Sequence, residues 1–183
     1  MNDEQLPQGL AFWLQEAREL MMAAERCWKS DEAFRQQIAE GKLQLVGNKH
    51  LQMRIDAEVE LNWLYNILSS LSVYYIAIGI LVNRDSQRLF GGETQQRITE
   101  LVGECGIELD PRQRKLLARV ENALWLADKE GPWNIHLEPQ QMKFMKQKFA
   151  AEDTVSDEDK RAMDVLFARM IAAAMKEVAA GPG

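Results

Sequence analysis

An uncharged stretch of twenty-two residues, 61–82, constrains the fold of this chain more than any other part of it, and sixteen of its residues are apolar. Seven of the apolar residues recur at alternating steps of three and four: Leu61, Leu64, Leu68, Leu71, Tyr75, Ile78 and Val82. That spacing places them on one face of a helix, which we call the apolar stripe. Apolar residues beside the stripe widen it, so the stretch predicts a core helix surrounded by other helices.

The same stretch is long enough to cross a lipid bilayer. Against a membrane span, it contains Asn62, Asn66 and three serines, each of which would need a hydrogen-bond partner in hydrocarbon. No cluster of Lys or Arg follows it at residues 83–85. We therefore predict a soluble helix and no membrane association.

Composition is that of an ordinary soluble globule, with 46% apolar and 27% charged residues among 183. We expect one helical domain over 1–183, with 181–183 as a frayed tail. The two cysteines, Cys27 and Cys105, are isolated, and the first ten residues are polar and acidic. These features predict reduced thiols, no signal peptide and a cytoplasmic protein. A net charge of −6 argues against a nucleic-acid surface over the whole chain.

Periodicity predicts an all-α bundle of about five to seven helices around a long central helix at about 49–83. Before it, a helix over about 10–29 turns six residues inward: Leu10, Leu14, Ala17, Met21, Ala24 and Trp28. Ser30 or Asp31 is expected to cap a short continuation over 31–40, which Gly41 would end.

Capping signals divide the second half of the chain. Thr94 is the expected cap of a short helix that Gly106 closes, and Asp110-Pro111 with Gln113 predicts a helix to about 129. A further helix is expected over about 138–149. Ser156 with Asp159 predicts the start of the last helix, which runs to about 179.

A central helix of this length would be about 50 Å long at 1.5 Å per residue. It would overhang a small bundle, so part of it needs another cover. We therefore predict a homodimer in which the apolar stripe contributes to the interface.

One basic face is a candidate for contact with nucleic acid or a partner. Arg112, Lys115 and Arg119 share one side of the helix that starts at Pro111, where they could meet phosphates. A solvated helix face is the ordinary explanation of the same pattern.

A second candidate is the Gly-Pro break that follows this helix. Trp125 and Trp133 flank the break, and His136 lies just beyond it. These three residues could line a pocket, or the tryptophans could seal the end of the bundle.

Signals for metal and nucleophilic chemistry are weak in this sequence. His50 and His136 have no carboxylate or thiol at a metal-ligand spacing, and no glycine-rich phosphate loop or nucleophile motif occurs. We therefore expect no metal and no cofactor, and we assign no catalytic residue.

A familiar pattern follows the central helix over residues 98–133: a short helix, the turn Gly-Ile-Glu-Leu-Asp, and a helix ending in an aromatic-rich break. In helix order over about 50–135 the chain resembles the helical bundles of the HEPN superfamily. That resemblance implies a dimeric bundle of a toxin–antitoxin, phage-defence or RNA-processing system.

Catalytic members of that superfamily cut RNA with an Arg-x4–6-His motif, which this chain lacks. His50 would need an arginine within 43–45, which are Leu, Gln and Leu, and His136 one within 129–131, which are Lys, Glu and Gly. The resemblance therefore implies a catalytically degenerate member.

The sequence thus favours a non-enzymatic binding or regulatory protein. Two alternatives stay open. One is an RNase-like enzyme that acts on nucleic acid with the basic face and His136. The other is a small acidic inhibitor from a mobile element, which would occupy the basic groove of a partner protein through its negative surface.

Overall fold

The computed structural model of the chain describes residues 9–39, 49–85, 97–127 and 154–180. Every regular element in these ranges is an α-helix: α1 (Leu10–Ala39), α2 (Lys49–Arg84), α3 (Ile98–Glu104), α4 (Pro111–Ala127) and α5 (Asp157–Ala180). The predicted all-α class is confirmed, and the predicted central helix is α2. The helix expected at 138–149 and the tail at 181–183 lie outside the described residues.

Helix α1 continues through Ser30 and Asp31 to Ala39, so the predicted boundary near residue 29 and the cap at Ser30 or Asp31 are wrong. No Gly or Pro occurs between residues 10 and 39, and Ala, Glu, Arg and Gln dominate the second half. Ser and Asp lower helix propensity only slightly. Two capping residues without a helix breaker therefore do not end this helix.

Helices α1 and α2 form an antiparallel pair. Near one end the rings of Trp28 and Tyr65 lie 5.2 Å apart, and near the other the rings of Trp13 and Tyr75 lie 5.5 Å apart. Gly79 lets the helices approach closely, because a Cβ atom there would lie only 2.7 Å from that of Trp13. All six residues predicted to face inward on α1 are buried, which confirms that face: Leu10, Leu14, Ala17, Met21, Ala24 and Trp28.

Helix α5 lies parallel to α2 and is attached to it at both ends. Just before α5, the Val155 N–H donates to Asn62 Oδ1 at 2.7 Å, and Asn62 Nδ2 donates to the Val155 carbonyl at 3.1 Å. Towards the other end, Arg84 and Glu177 form an ion pair at 2.6 Å. Four residues on the inner face of α5 are buried: Met163, Leu166, Met170 and Ala174.

The start of α4 has the predicted capping box. Asp110 Oδ1 accepts the N–H groups of Arg112 and Gln113, both at 2.8 Å, and the Gln113 side chain accepts the Asp110 N–H. Gln113 also donates to the Ala162 carbonyl at 3.0 Å, which ties α4 to α5.

The predicted end of α3 and the start of α5 are confirmed as well. Gly106, with φ of 79°, follows α3, and Ser156 and Asp159 cap α5 reciprocally. The predicted start of α3 is wrong, because Arg97 occupies the N-cap position and Thr94 lies outside the described residues. Glu100 explains the difference, since its carboxylate accepts the Arg97 N–H at 3.0 Å.

The segment Asn62–Arg84 is long and apolar enough for a membrane span by length and composition, and 94% of an apolar stretch of 18 residues within it is buried inside this fold. A core helix surrounded by protein has the same composition. Two of its three serines use local acceptors: the hydroxyls of Ser69 and Ser72 donate to the carbonyls of Asn66 and Ser69. Among the described residues the buried hydroxyl of Ser70 has no partner.

Candidate functional site

The apolar stripe lies on the least covered side of α2. Within residues 62–82, only Leu64, Leu68 and Tyr75 are not fully buried, and all three belong to the stripe. Leu71, Ile78 and Val82 of the same stripe are buried, and the side chain of Leu61 lies outside the described residues. Leu64, Leu68 and Tyr75 of the stripe thus lie at the edge of the core, while Ile78 is completely buried.

The centre of the core lies on the other faces of α2. Tyr65, Ile67, Ile76 and Ile80 are completely buried there, and none of them belongs to the stripe. Tyr65 lies against Trp28 of α1 and near Lys160 of α5, and Ile67 belongs to a cluster that contains Val120 of α4. A helix that is apolar nearly all round does not reveal from its sequence which side is covered least.

Residues of α1 extend the incompletely covered side of α2. Trp13 packs edge to face on Tyr75, and the ring of Phe12, whose side chain is 38% exposed, lies 5.3 Å from that of Trp13. Leu20 and Leu64 both pack, half-buried, on a small cluster of Trp63, Ile67, Leu71 and Val120. We call this region the α1–α2 surface and define it by six residues: Phe12, Trp13, Leu20, Leu64, Leu68 and Tyr75.

Charge is sparse on this surface. Residues 61–82 contain no charged side chain, and the acidic group that acts on Tyr75 is Glu16 of α1. Burial, and then the negative charge of Glu16, raise the pKa of the Tyr75 hydroxyl. Tyr75 is therefore a neutral, amphipathic side chain at neutral pH, which suits a contact surface better than an ionised one would.

The three residues of the predicted basic face have different environments. Arg112 forms ion pairs with Glu158 at 2.7 Å and Asp159 at 3.3 Å, both on α5. Lys115 is exposed and Arg119 is half-buried. Because α5 begins with three acidic residues beside Arg112, the positive charge available to a phosphate is smaller than the sequence of α4 alone suggests.

The predicted pocket falls largely outside the described part of the chain. The backbone of Trp125 belongs to α4, but its side chain, Trp133 and His136 are outside the described residues. His50 is the second residue of α2, and its side chain likewise lies outside the described residues.

A polar cluster that sequence reasoning missed joins three helices. Lys160 of α5 donates to Glu25 of α1 at 2.7 Å and to Asp164 at 2.8 Å, and lies 6.0 Å from the ring centre of Tyr65 on α2. Burial opposes the charge of Lys160, but the hydrogen bonds and charges of Asp164 and Glu25 outweigh burial and raise its pKa. Only the Lys160–Asp164 pair has a sequence signal, the spacing of four.

Burial also raises the pKa of Tyr65, and the negative charges of Asp164 and Glu25 add to that effect. Tyr65 therefore stays neutral at neutral pH, and the cluster connects α1, α2 and α5. Within the described ranges, no group of three or more His, Cys, Asp or Glu side chains is arranged to hold a metal ion.

Comparison of the chain with protein-family models, with curated proteins and with solved structures gives no match. The geometry of the described residues therefore carries the functional argument. In that part of the chain, the feature that best fits a function is the α1–α2 surface.

Proposed function

We propose that this chain is a non-enzymatic helical-bundle binding protein that forms a homodimer through the α1–α2 surface. The observation that carries the proposal is the position of the incompletely buried residues of α2. Leu64, Leu68 and Tyr75 lie on one stripe of an otherwise buried stretch, beside the half-buried Trp13 and Leu20 of α1. A group of apolar side chains that reaches solvent together is a feature of binding surfaces and supports this position for the interface.

The spacing of the stripe suits a second helix as the occupant. Its incompletely buried residues, Leu64, Leu68 and Tyr75, are spaced by four and seven, which keeps them on one face where a second helix can pack. The aromatic side chains Trp13 and Tyr75 add the residue types that are enriched at protein interfaces. A helix therefore fits this surface better than a small polar ligand does.

A second copy of the chain is the simplest such partner. In a two-fold dimer the same patch meets itself, so a charged patch would suffer like-charge repulsion. The stripe contains no charged residue, so α2 can meet α2 of a second copy without that cost. Leu64 and Tyr75 are eleven residues apart, about 16 Å at 1.5 Å per residue, so the proposed contact extends over about three turns of α2.

A cytoplasmic regulatory role in a toxin–antitoxin or phage-defence system is the further part of the proposal, and it rests on the HEPN-like order of helices. The alternative of an RNase-like enzyme draws less support from the described residues, because Arg112 of its basic face already pairs with two carboxylates. Inhibition of a basic partner by this acidic chain rests on the net charge of −6 alone.

Light scattering and sedimentation test the homodimer. Leu68→Glu places a charge in the middle of the surface and should convert a dimer into a monomer, because the charge would be buried without a partner. Met22→Glu is the matched control, since Met22 lies on α1 but is 61% exposed and away from this surface. It should leave the mass unchanged.

Two results would contradict the proposal. One is a wild-type chain that is monomeric at micromolar concentration. The other is a Leu68→Glu variant that stays folded and dimeric, which would place the interface elsewhere. Circular dichroism of each variant separates loss of the dimer from loss of the fold.

A further inference from the structure

The side of α5 that points away from α2 carries a second apolar region. Three large side chains there are about half exposed: Val165 at 55%, Met175 at 50% and Val178 at 53%. Ala168 and Ala172 are exposed between them. We call these five residues the outer face of α5. Of the five exposed large apolar side chains in the described ranges, three lie on this face.

Helix α5 is therefore apolar on two opposite sides. Its inner side, with Met163, Leu166 and Met170, is buried against the rest of the bundle, while the outer face meets solvent. An amphipathic surface helix normally has a polar side opposite its core side. The outer face departs from this pattern, as binding surfaces do.

The charges along α5 indicate what kind of partner fits. Residues 165–180 contain three charged side chains, Arg169, Lys176 and Glu177. Glu177 is bound by Arg84 of α2, at 2.6 Å, on the side that faces the bundle. Arg169 and Lys176 are exposed, lie seven residues apart and border the outer face on one edge. The free charge beside the apolar residues is thus positive.

We propose that the outer face of α5 docks an amphipathic helix of another protein, one whose apolar side is bordered by Asp or Glu residues. Val165, Ala168, Ala172 and Met175 follow steps of three, four and three, the spacing of a helix-to-helix contact. The two alanines let a partner helix approach closely, since the distance between helix axes depends on the side chains at the contact. Acidic residues of the partner would pair with Arg169 and Lys176.

Two other occupants fit the charges less well. A second copy of α5 would bring its own Arg169 and Lys176 against the first, which is a like-charge contact. An anionic membrane would be held by only two cations on this face and would repel a chain with a net charge of −6. The proposal is separate from the homodimer, because it concerns a different surface.

Two synthetic peptides of about three heptads test the partner chemistry. Both have Leu and Ala on the apolar side, and one has Glu and the other Lys at the bordering positions. Fluorescence anisotropy should show that the full-length chain binds the Glu peptide and that the Lys peptide binds about tenfold more weakly or worse. No binding of the Glu peptide, or equal binding of both, would overturn the proposal.

Variants of the chain test whether the peptide binds to the outer face of α5. Ala172→Glu, and separately Arg169→Glu with Lys176→Glu, should each weaken binding of the Glu peptide about tenfold or more. Ala11→Glu is the matched control, because Ala11 is an exposed alanine of α1, and it should bind normally. Binding that Ala172→Glu leaves unchanged would overturn the proposal.

Two further measurements test the other two occupants, a second copy of the chain and an anionic membrane. Light scattering should give the same mass for Ala172→Glu as for the wild type. A lower mass would mean that α5 binds a second copy. Co-sedimentation with phosphatidylcholine vesicles that contain phosphatidylserine should show no binding, and binding that is lost in Ala172→Glu would assign the face to a membrane instead.

Discussion

Trp13 of α1 and Tyr75 of α2 pack edge to face, with ring centres 5.5 Å apart and planes inclined by 68°. Both side chains are half-buried, so the pair marks the point where the core between α1 and α2 reaches solvent. Gly79 is four residues after Tyr75 on α2, is buried, and lies against the same Trp13. One tryptophan therefore contacts both the packed and the incompletely covered side of α2, and predictions can be made for each side.

Substitution of Gly79 should disturb the packing of α1 on α2. In Gly79→Ala the new Cβ would lie 2.7 Å from Trp13 Cβ and 2.9 Å from Leu10 Cδ1, so the helices would have to separate. We expect a loss of about 1–3 kcal/mol in the free energy of unfolding, measured by urea denaturation. Gly103→Ala is the control, because a Cβ at that helical position meets nothing within 4 Å, and it should stabilise by about 0.5–1 kcal/mol. Equal effects of the two changes would contradict the close approach.

Truncation of Ile76 and of Leu68 should have different consequences. Ile76 is completely buried, and Ile76→Ala should cost about 2–5 kcal/mol at any protein concentration. Leu68 is half-buried, so Leu68→Ala should cost less in a dilute sample. Its cost should grow with protein concentration, since loss of a dimer contact destabilises by mass action. Denaturation curves at two concentrations measure both effects, and a cost for Leu68→Ala that is independent of concentration argues against its place in a dimer interface.

Two buried asparagines of α2 should respond in opposite ways to replacement by Leu. Asn62 bonds both the N–H and the carbonyl of Val155, so Asn62→Leu leaves two buried backbone groups unpaired and should cost about 2–5 kcal/mol. Among the described residues the side chain of Asn66 has no hydrogen-bond partner. Asn66→Leu should therefore be neutral or stabilising in thermal denaturation. Similar losses at both positions would show that the two amides are equally engaged.

The cap of α5 predicts a dependence of stability on pH. Burial alone would raise the pKa of Asp159, but the Ser156 N–H and hydroxyl and the charge of Arg112 outweigh burial and lower it. A folded-state pKa below the unfolded value of about 3.9 stabilises the protein above that pH, and the stabilisation is lost as pH falls through the folded value. Asp159→Asn should therefore be less stable than the wild type near neutral pH, and the difference should shrink below about pH 4.

Urea denaturation near neutral pH and below about pH 4 checks this expectation. Glu32→Gln removes one carboxylate from an exposed position of α1 and serves as the control for net charge. It should show the same small difference from the wild type at both pH values. A deficit of Asp159→Asn that persists in acid would mean that the cap does not depend on the ionised carboxylate.

Much of the fold could be predicted from the sequence because its signals are local. The Asp110–Gln113 and Ser156–Asp159 boxes involve residues three apart, and the inward face of α1 repeats every turn. The two wrong predictions, the end of α1 and the start of α3, concern places where two local signals disagree. At Ser30 the tendency of α1 to continue outweighs a capping residue, and at Arg97 the carboxylate of Glu100 fixes the start of α3.

The candidate site was harder to predict because it depends on which helices cover which sides. The stripe from Leu61 to Val82 could be found by periodicity, but the incomplete burial of Leu64, Leu68 and Tyr75 depends on how the other helices cover α2. The same holds for Arg112, whose partners Glu158 and Asp159 are more than forty residues away in sequence. The outer face of α5 is visible in the sequence only as an excess of Ala, Met and Val.

The two attachments of α5 to α2 have a mechanical consequence. Twenty-two residues separate Asn62 from Arg84, and the same number separates Val155 from Glu177. To slide along α2, α5 would have to break both attachments at once, whereas to peel away it needs to break only one at a time. A partner that pulls along the axis of α5 would therefore meet more resistance than one that lifts either end, and the direction of a load would decide how readily the helix comes off.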